Sequence, residues 1–158
     1  MAFNFKLNIF IKMTTITTVI IILVFLIVFL FIIQKNEPAV SSQTFQIYFN
    51  RKLGNYLVDR RSRALYYYGE DRIGTSKSQP KSHCGEGCLG VWQVFYEDKI
   101  NVSPPLRKED FSNLERHQDQ QNQTVYKGHP LYYYINDLNE GDAKGEGMNN
   151  TWFVLKID

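Results

Sequence analysis

The side chains best suited to redox or metal chemistry are two cysteines, Cys84 and Cys88, and three histidines, His83, His117 and His129. In an exported chain, an even cysteine count favours a disulfide. Gly85-Glu86-Gly87 between them lets the backbone bend sharply enough to bring the sulfurs together. Closing so short a loop stabilises by roughly 2 kcal/mol on the chain-entropy estimate. The Cys-x-x-x-Cys spacing departs from the Cys-x-x-Cys of thiol oxidoreductases, which ranks a redox-active pair below a structural bridge. Thiolates with imidazoles would suit zinc or copper, so His83, Cys84, Cys88 and His129 form the candidate metal set. Adjacent His83 and Cys84 are awkward as joint ligands, and His129 sits in a turn before Pro130.

Other chemistries leave weaker traces. The loop Asp137-Leu138-Asn139-Glu140-Gly141-Asp142 invites a calcium reading. It fails the EF-hand test: Gly141 falls where a ligand is wanted, Asp142 where glycine is needed, and Met148 where the bidentate glutamate belongs. There is no Gly-x-Ser-x-Gly, no His-Glu-x-x-His, no phosphate-cradling glycine loop and no Cys-x-x-Cys-His. The chain therefore reads as a non-enzyme without a cofactor. Net charge is +2, but Lys6, Lys12 and Lys35 precede every acidic residue, so the remainder carries 15 − 16 = −1. No basic stripe suits a nucleic-acid backbone. Arg51, Lys52, Arg60, Arg61 and Arg63 do cluster, which reads first as a solvated hairpin face and second as a contact for anionic lipid headgroups.

The elements that must position these residues carry a repeat. Leu65-Tyr66-Tyr67-Tyr68 is followed by Asp71, and Leu131-Tyr132-Tyr133-Tyr134 by Asp137, so the pattern Tyr-x-aromatic-x-x-Asp occurs twice, 66 positions apart. The expected fold is all-β: a small antiparallel domain of two related hairpin units. One hairpin joins residues 56–58 to 65–68, the other joins 124–126 to 131–135, and further strands are expected over 45–49, 90–96 and 151–157. A helical turn is expected within 108–114. Strand alternation puts Tyr66 and Tyr68 on one face and Leu65 and Tyr67 on the other. Each aspartate then falls at a strand end, where it can accept from turn amides or from a tyrosine hydroxyl. Tyr66, Tyr68, Asp71, Tyr132, Tyr134, Asp137, Trp92 and Trp152 are thus motif residues, either a folding signature or a binding surface.

Residues 13–33 contain no charge, and Lys6 and Lys12 precede them. The expectation is a transmembrane signal anchor over 13–33 following a cytoplasmic tail, 1–12. A linker, 34–44, and an extracytoplasmic β-domain, 45–158, come after it, giving a single-pass cell-membrane protein. The alternative is a cleaved signal peptide ending near Ala39-Val40-Ser41.

Several ordered pieces carry a family resemblance: Gly54-Asn55-Tyr56-Leu57-Val58-Asp59, the first Tyr-x-Tyr-x-x-Asp, Cys84-x-x-x-Cys88-x-x-x-Trp92, Tyr126-Lys127-Gly128-His129-Pro130, the second motif, Gly145-x-Gly147 and Trp152-Phe153-Val154. Over residues 50–156 the chain resembles the bacterial secreted-repeat lipoproteins defined by the Tyr-x-aromatic-x-x-Asp motif. Members often carry a lipid-attachment cysteine, which is not found after the apolar run here. The resemblance implies a location and an architecture but no mechanism. The expected function is a membrane-tethered, non-catalytic module binding an envelope protein or small ligand. The alternative is a metal- or redox-handling envelope protein built on the cysteine and histidine region.

Overall fold

A computed structural model describes residues 17–31 and 42–158. The chain divides into two compact units, Met1–Ala39 and Val40–Asp158.

In the first unit, residues 17–31 form a helix with every residue exposed. An aliphatic run without glycine or proline explains its continuity. Fifteen residues span about 22 Å at 1.5 Å each, short of the roughly 30 Å of a hydrocarbon core. Among the described residues no helix is long and apolar enough to cross a membrane. This corrects the transmembrane anchor expected over 13–33, together with the membrane partner and single-pass location that rested on it. The outer parts of that segment, like residues 1–12 and most of the 34–44 linker, lie outside the described residues.

Among its described residues the second unit contains nine strands: β1 (Phe45–Asn50), β2 (Gly54–Asp59), β3 (Tyr66–Tyr68), β4 (Trp92–Val94), β5 (Phe111–Glu115), β6 (Asn122–Tyr126), β7 (His129–Pro130), β8 (Tyr132–Tyr134) and β9 (Trp152–Val154). They make three antiparallel sheets, β1-β2, β4-β8-β3-β9 and β5-β6-β7. The all-β expectation is corrected to a small mixed α/β structure, because helix also occurs at 17–31 and at Glu86–Leu89. The physical reason at Glu86–Leu89 is local: the N–H groups of Cys88 and Leu89 both donate to Gly85 O, at 2.9 and 3.1 Å, closing one turn behind an extended Gly85. The Cys84–Cys88 bridge, with Cα atoms 5.4 Å apart, ties that turn to the residue before it. Lys108–Asp110 and Met148–Asn150 add 3₁₀ turns.

The helical turn expected within 108–114 stops at Asp110, and β5 takes over because its backbone pairs with β6, Phe111 opposite Tyr126. The expected hairpins also take other partners. β2 pairs with β1 over its whole length, and its link toward β3 is a single bridge, Val58 to Ala64.

The two halves, residues 45–95 and 111–155, make matching bonds. β3 and β8 meet at Tyr66 opposite Tyr132. β9 pairs with β3 as Trp152–Tyr68, Phe153–Tyr67 and Val154–Tyr66, while β4 pairs with β8 as Trp92–Tyr134, Gln93–Tyr133 and Val94–Tyr132. Leu155 N–H donates to Leu65 O (3.1 Å), and Phe95 N–H to Leu131 O (3.0 Å). Leu57 N–H donates to Leu155 O (2.8 Å), and Thr124 N–H to Phe95 O (2.9 Å). The halves are thus related by an approximate twofold through the Tyr66–Tyr132 pair. Each half gives its last strand to the other half's motif strand.

Two buried clusters fill the interior. One contains Phe45, Leu65, Phe111, Leu131 and Leu155, with Tyr67 and Tyr133 packed against it. The other contains Tyr66, Trp92, Tyr132, Trp152 and Val154, with Tyr68 and Tyr134 against it. Strand alternation produces this division. Across the axis Phe45 stacks on Phe111 with ring centroids 4.3 Å apart.

Candidate functional site

The motif residues are brought together, and their partners are exchanged. Tyr66 Oη donates to Asp137 Oδ2 at 2.6 Å, and Tyr132 Oη donates to Asp71 Oδ2 at 2.7 Å. Each tyrosine therefore bonds the aspartate of the other motif. The second carboxylate oxygens hold loops: His83 N–H donates to Asp71 Oδ1 (2.7 Å) and Lys144 N–H to Asp137 Oδ1 (2.9 Å). Burial raises the pKa of both aspartates above the ordinary carboxylate value, against the lowering effect of these donors. Burial, followed by the aspartate partner, lifts both phenols above their usual range.

One half adds a buried cation. The Arg116 side chain is fully enclosed. Its Nη1 donates to Ser82 Oγ (2.6 Å) and Gln123 Oε1 (2.9 Å), its Nη2 to Cys84 O (2.6 Å), and its Nε to Asp119 (3.0 Å). Ser82 Oγ lies 2.7 Å from Tyr132 Oη, so the network runs from Arg116 to Asp71. Sequence reasoning missed Arg116, because within Glu115-Arg116-His117-Gln118 it reads as a solvated charge.

Above the four-stranded sheet the two tryptophans stack, centroids 3.8 Å apart and planes within 3°. Tyr68 stacks on Trp152 (4.5 Å) and Tyr134 lies against Trp92 (4.7 Å), which extends the row to four rings. A cleft of about 530 Å³ opens here, lined by Tyr68, Cys88, Val91, Trp92, Met148 and Trp152 among others. Its walls come from a second repeated phrase. Gly85-Glu86-Gly87-Cys88 precedes Trp92-x-Val94 as Gly145-Glu146-Gly147-Met148 precedes Trp152-x-Val154, 60 positions apart. That repeat was readable in the sequence and locates the cleft. At Gly145 an added Cβ would collide with the Trp92 ring, whereas at Gly85 it meets open space.

The candidate metal set is not assembled. Cys84 and Cys88 form a disulfide. His83 Nδ1 lies 2.7 Å from Glu70 O, and the His129 ring packs against Tyr67 at 4.7 Å. Among the described residues no group of three or more His, Cys, Asp or Glu is placed to hold a metal ion. In the acidic loop, Asp142 Oδ2 accepts from Leu138 N–H, Asn139 N–H and Lys144 Nζ, at 3.1, 2.9 and 2.7 Å. Those bonds, Lys144 foremost, lower its pKa to about 2.

Comparison with known proteins bears on the second half. Neither the curated proteins nor the solved structures contain a match. Residues 117–156 match the sequence profile of a lipoprotein family described as a secreted repeat of unknown function, a segment that contains Tyr132, Tyr134, Asp137 and Trp152.

Proposed function

We propose that the domain over 42–158 is a non-catalytic binding module acting outside the cytoplasm, and that its binding surface is the cleft on the twofold axis. One observation carries this reading. The reactive-looking side chains bond one another, while the stacked tryptophans, with Gly87 and Cys88 from one half and Met148 and Asn149 from the other, shape an open, largely apolar cleft. Concave sites rich in aromatic and apolar groups, with a few polar ones, are the usual form of a ligand site. The secreted-repeat match to the second half and the Cys84–Cys88 bridge support an oxidising, extracytoplasmic setting. The same reasoning extends the secreted-repeat assignment to the first half, which makes the equivalent bonds. The reading built on metal or redox handling is set aside, because His83 and His129 take other partners.

The test is site-specific photocrosslinking in producing cells. A photoreactive residue at exposed Val91, in the cleft wall, should give one discrete adduct, and the same group at exposed Lys77 should give none. Equal labelling at both positions, or no adduct at Val91, would sink the proposal.

A further inference from the structure

The two halves differ most where β2 and β6 end. Asp59 and Tyr126 hold equivalent positions, opposite Phe45 and Phe111. In the second half the residue does what a core position asks: Tyr126 packs on Phe111, centroids 4.6 Å apart, and Lys127-Gly128 turns the chain directly into β7. In the first half the position is a carboxylate, 4% exposed, followed by Arg60-Arg61-Ser62-Arg63. Packing does not call for a buried charge there, since the equivalent site is filled by an aromatic ring.

Asp59 holds the arginine turn in place. Its Oδ1 accepts from Arg61 N–H (2.8 Å) and Arg63 N–H (2.9 Å), and its Oδ2 accepts from Arg63 Nε (2.9 Å) and Tyr133 Oη (2.7 Å). Arg63 Nη2 donates to Tyr133 Oη at 2.8 Å, and the guanidinium lies over the Tyr133 ring, 3.9 Å from its centroid. The guanidinium is therefore locked in plane and position while its side chain remains 42% exposed. These contacts engage Nε and Nη2 and leave further N–H groups of the five-donor fork available. Arg60 is steered by Glu97, and the backbone of Arg61 is held through its N–H while its side chain is exposed.

All three arginines line one cleft of about 540 Å³, with Tyr96 and Thr44 on its wall. It shares no lining residue with the cleft between the tryptophans. The charges around it are three arginines against Asp59 and Glu97, a surplus of one cation. Guanidinium forks match phosphate oxygens in geometry, and immobilising the donors beforehand lowers the ordering cost of binding.

We propose that this cleft binds the phosphoryl group of a small phosphorylated ligand, with Arg63 as the fixed donor and Arg60 and Arg61 closing on the remaining oxygens. The volume leaves room for an organic group beyond the phosphate. This site stands apart from the cleft proposed above, so either can fail without the other.

The experiment titrates the full chain, at constant ionic strength, with inorganic phosphate, glucose 1-phosphate and acetate. Arginine side-chain N–H resonances and calorimetry supply the readouts. Saturable one-to-one binding is expected for both phosphates, tighter for the sugar phosphate, with acetate at least tenfold weaker. Arg61→Gln, whose side chain supports nothing in the fold, should weaken phosphate at least tenfold. Lys77→Gln should leave it unchanged. Tighter binding of inorganic phosphate than of the sugar phosphate would refute the organic-group part of the proposal. Non-saturating shifts, equal response to acetate, or wild-type affinity in Arg61→Gln would refute the site. Arg63→Gln is read only if its unfolding curve shows a folded protein.

Discussion

If each Tyr-x-Tyr-x-x-Asp motif were a self-contained unit, Tyr66 would depend on Asp71 and Tyr132 on Asp137. The structure couples Tyr66 with Asp137 and Tyr132 with Asp71 instead. Tyr132→Phe tests this cleanly, because phenylalanine keeps the ring and removes only the hydroxyl. That hydroxyl is buried and touches the Asp71 carboxylate and Ser82 at 2.7 Å each. A hydrogen bond to a charged group contributes about 1.5–3 kcal/mol, and its loss leaves a buried oxygen short of a donor. Tyr132→Phe should therefore cost about 2–3 kcal/mol. Tyr66→Phe should cost a similar amount, about 2–3 kcal/mol, because Asp137 is only half-buried but the buried Gly145 N–H loses its acceptor as well. Truncation of either tyrosine to alanine adds a cavity, bringing the loss to about 3–5 kcal/mol. Urea unfolding followed by tryptophan fluorescence is the assay, since both tryptophans sit between the halves. Double-mutant cycles then decide the pairing. Tyr132→Phe with Asp71→Ala should couple by about 1–2 kcal/mol, and Tyr132→Phe with Asp137→Ala should be additive within about 0.5 kcal/mol. Coupling inside each motif instead of across the axis would refute the exchanged arrangement.

Three further outcomes are expected. Alkylation of the unreduced protein should label neither cysteine, and reduction should add two labels and lower stability by about 2 kcal/mol; two labels without reductant would contradict the bridge. Gly145→Ala should cost about 1–3 kcal/mol by forcing a methyl group into the Trp92 ring. Gly85→Ala, at the matching place in the other half, should change unfolding by less than about 0.5 kcal/mol. In pH titration, the raised pKa values of Asp71 and Asp137 mean that the folded state holds protons more tightly than the unfolded chain. Their contribution is fully present below the ordinary 3.8 and is lost as pH rises through the raised values. Asp142 runs the other way, with stability present above 3.8 and lost as pH falls toward about 2. The urea midpoint should therefore rise as pH is lowered from neutral toward about 4, and Asp71→Asn should flatten that limb. A wild-type midpoint that falls steadily over this range would count against the buried carboxylates.

Much of the local structure was written in the sequence. The alternation of Leu65, Tyr66, Tyr67 and Tyr68 fixed which side chains share a face, because a strand has a period of two whatever it pairs with. As the only two cysteines in the sequence, Cys84 and Cys88 could bridge only each other within the chain, and Gly85-Glu86-Gly87 lets so short a loop close. The duplicated phrases announced two similar halves. What the sequence could not contain is which half supplies each partner. Tyr66 is equally matched in type to Asp71, five residues away, and to Asp137, seventy-one away. Only the antiparallel register of β3 on β8, and of β9 and β4 on their flanks, places the distant aspartate within 2.6 Å. Arg116 is a partial parallel: nothing near it in sequence marks it as buried, and although Asp119 and Gln123 are local, its other partners, Ser82 and Cys84, lie 34 and 32 residues away. Local sequence sets backbone period and short-loop closure, whereas hydrogen bonds between side chains far apart in the chain exist only once sheet register has fixed the distances.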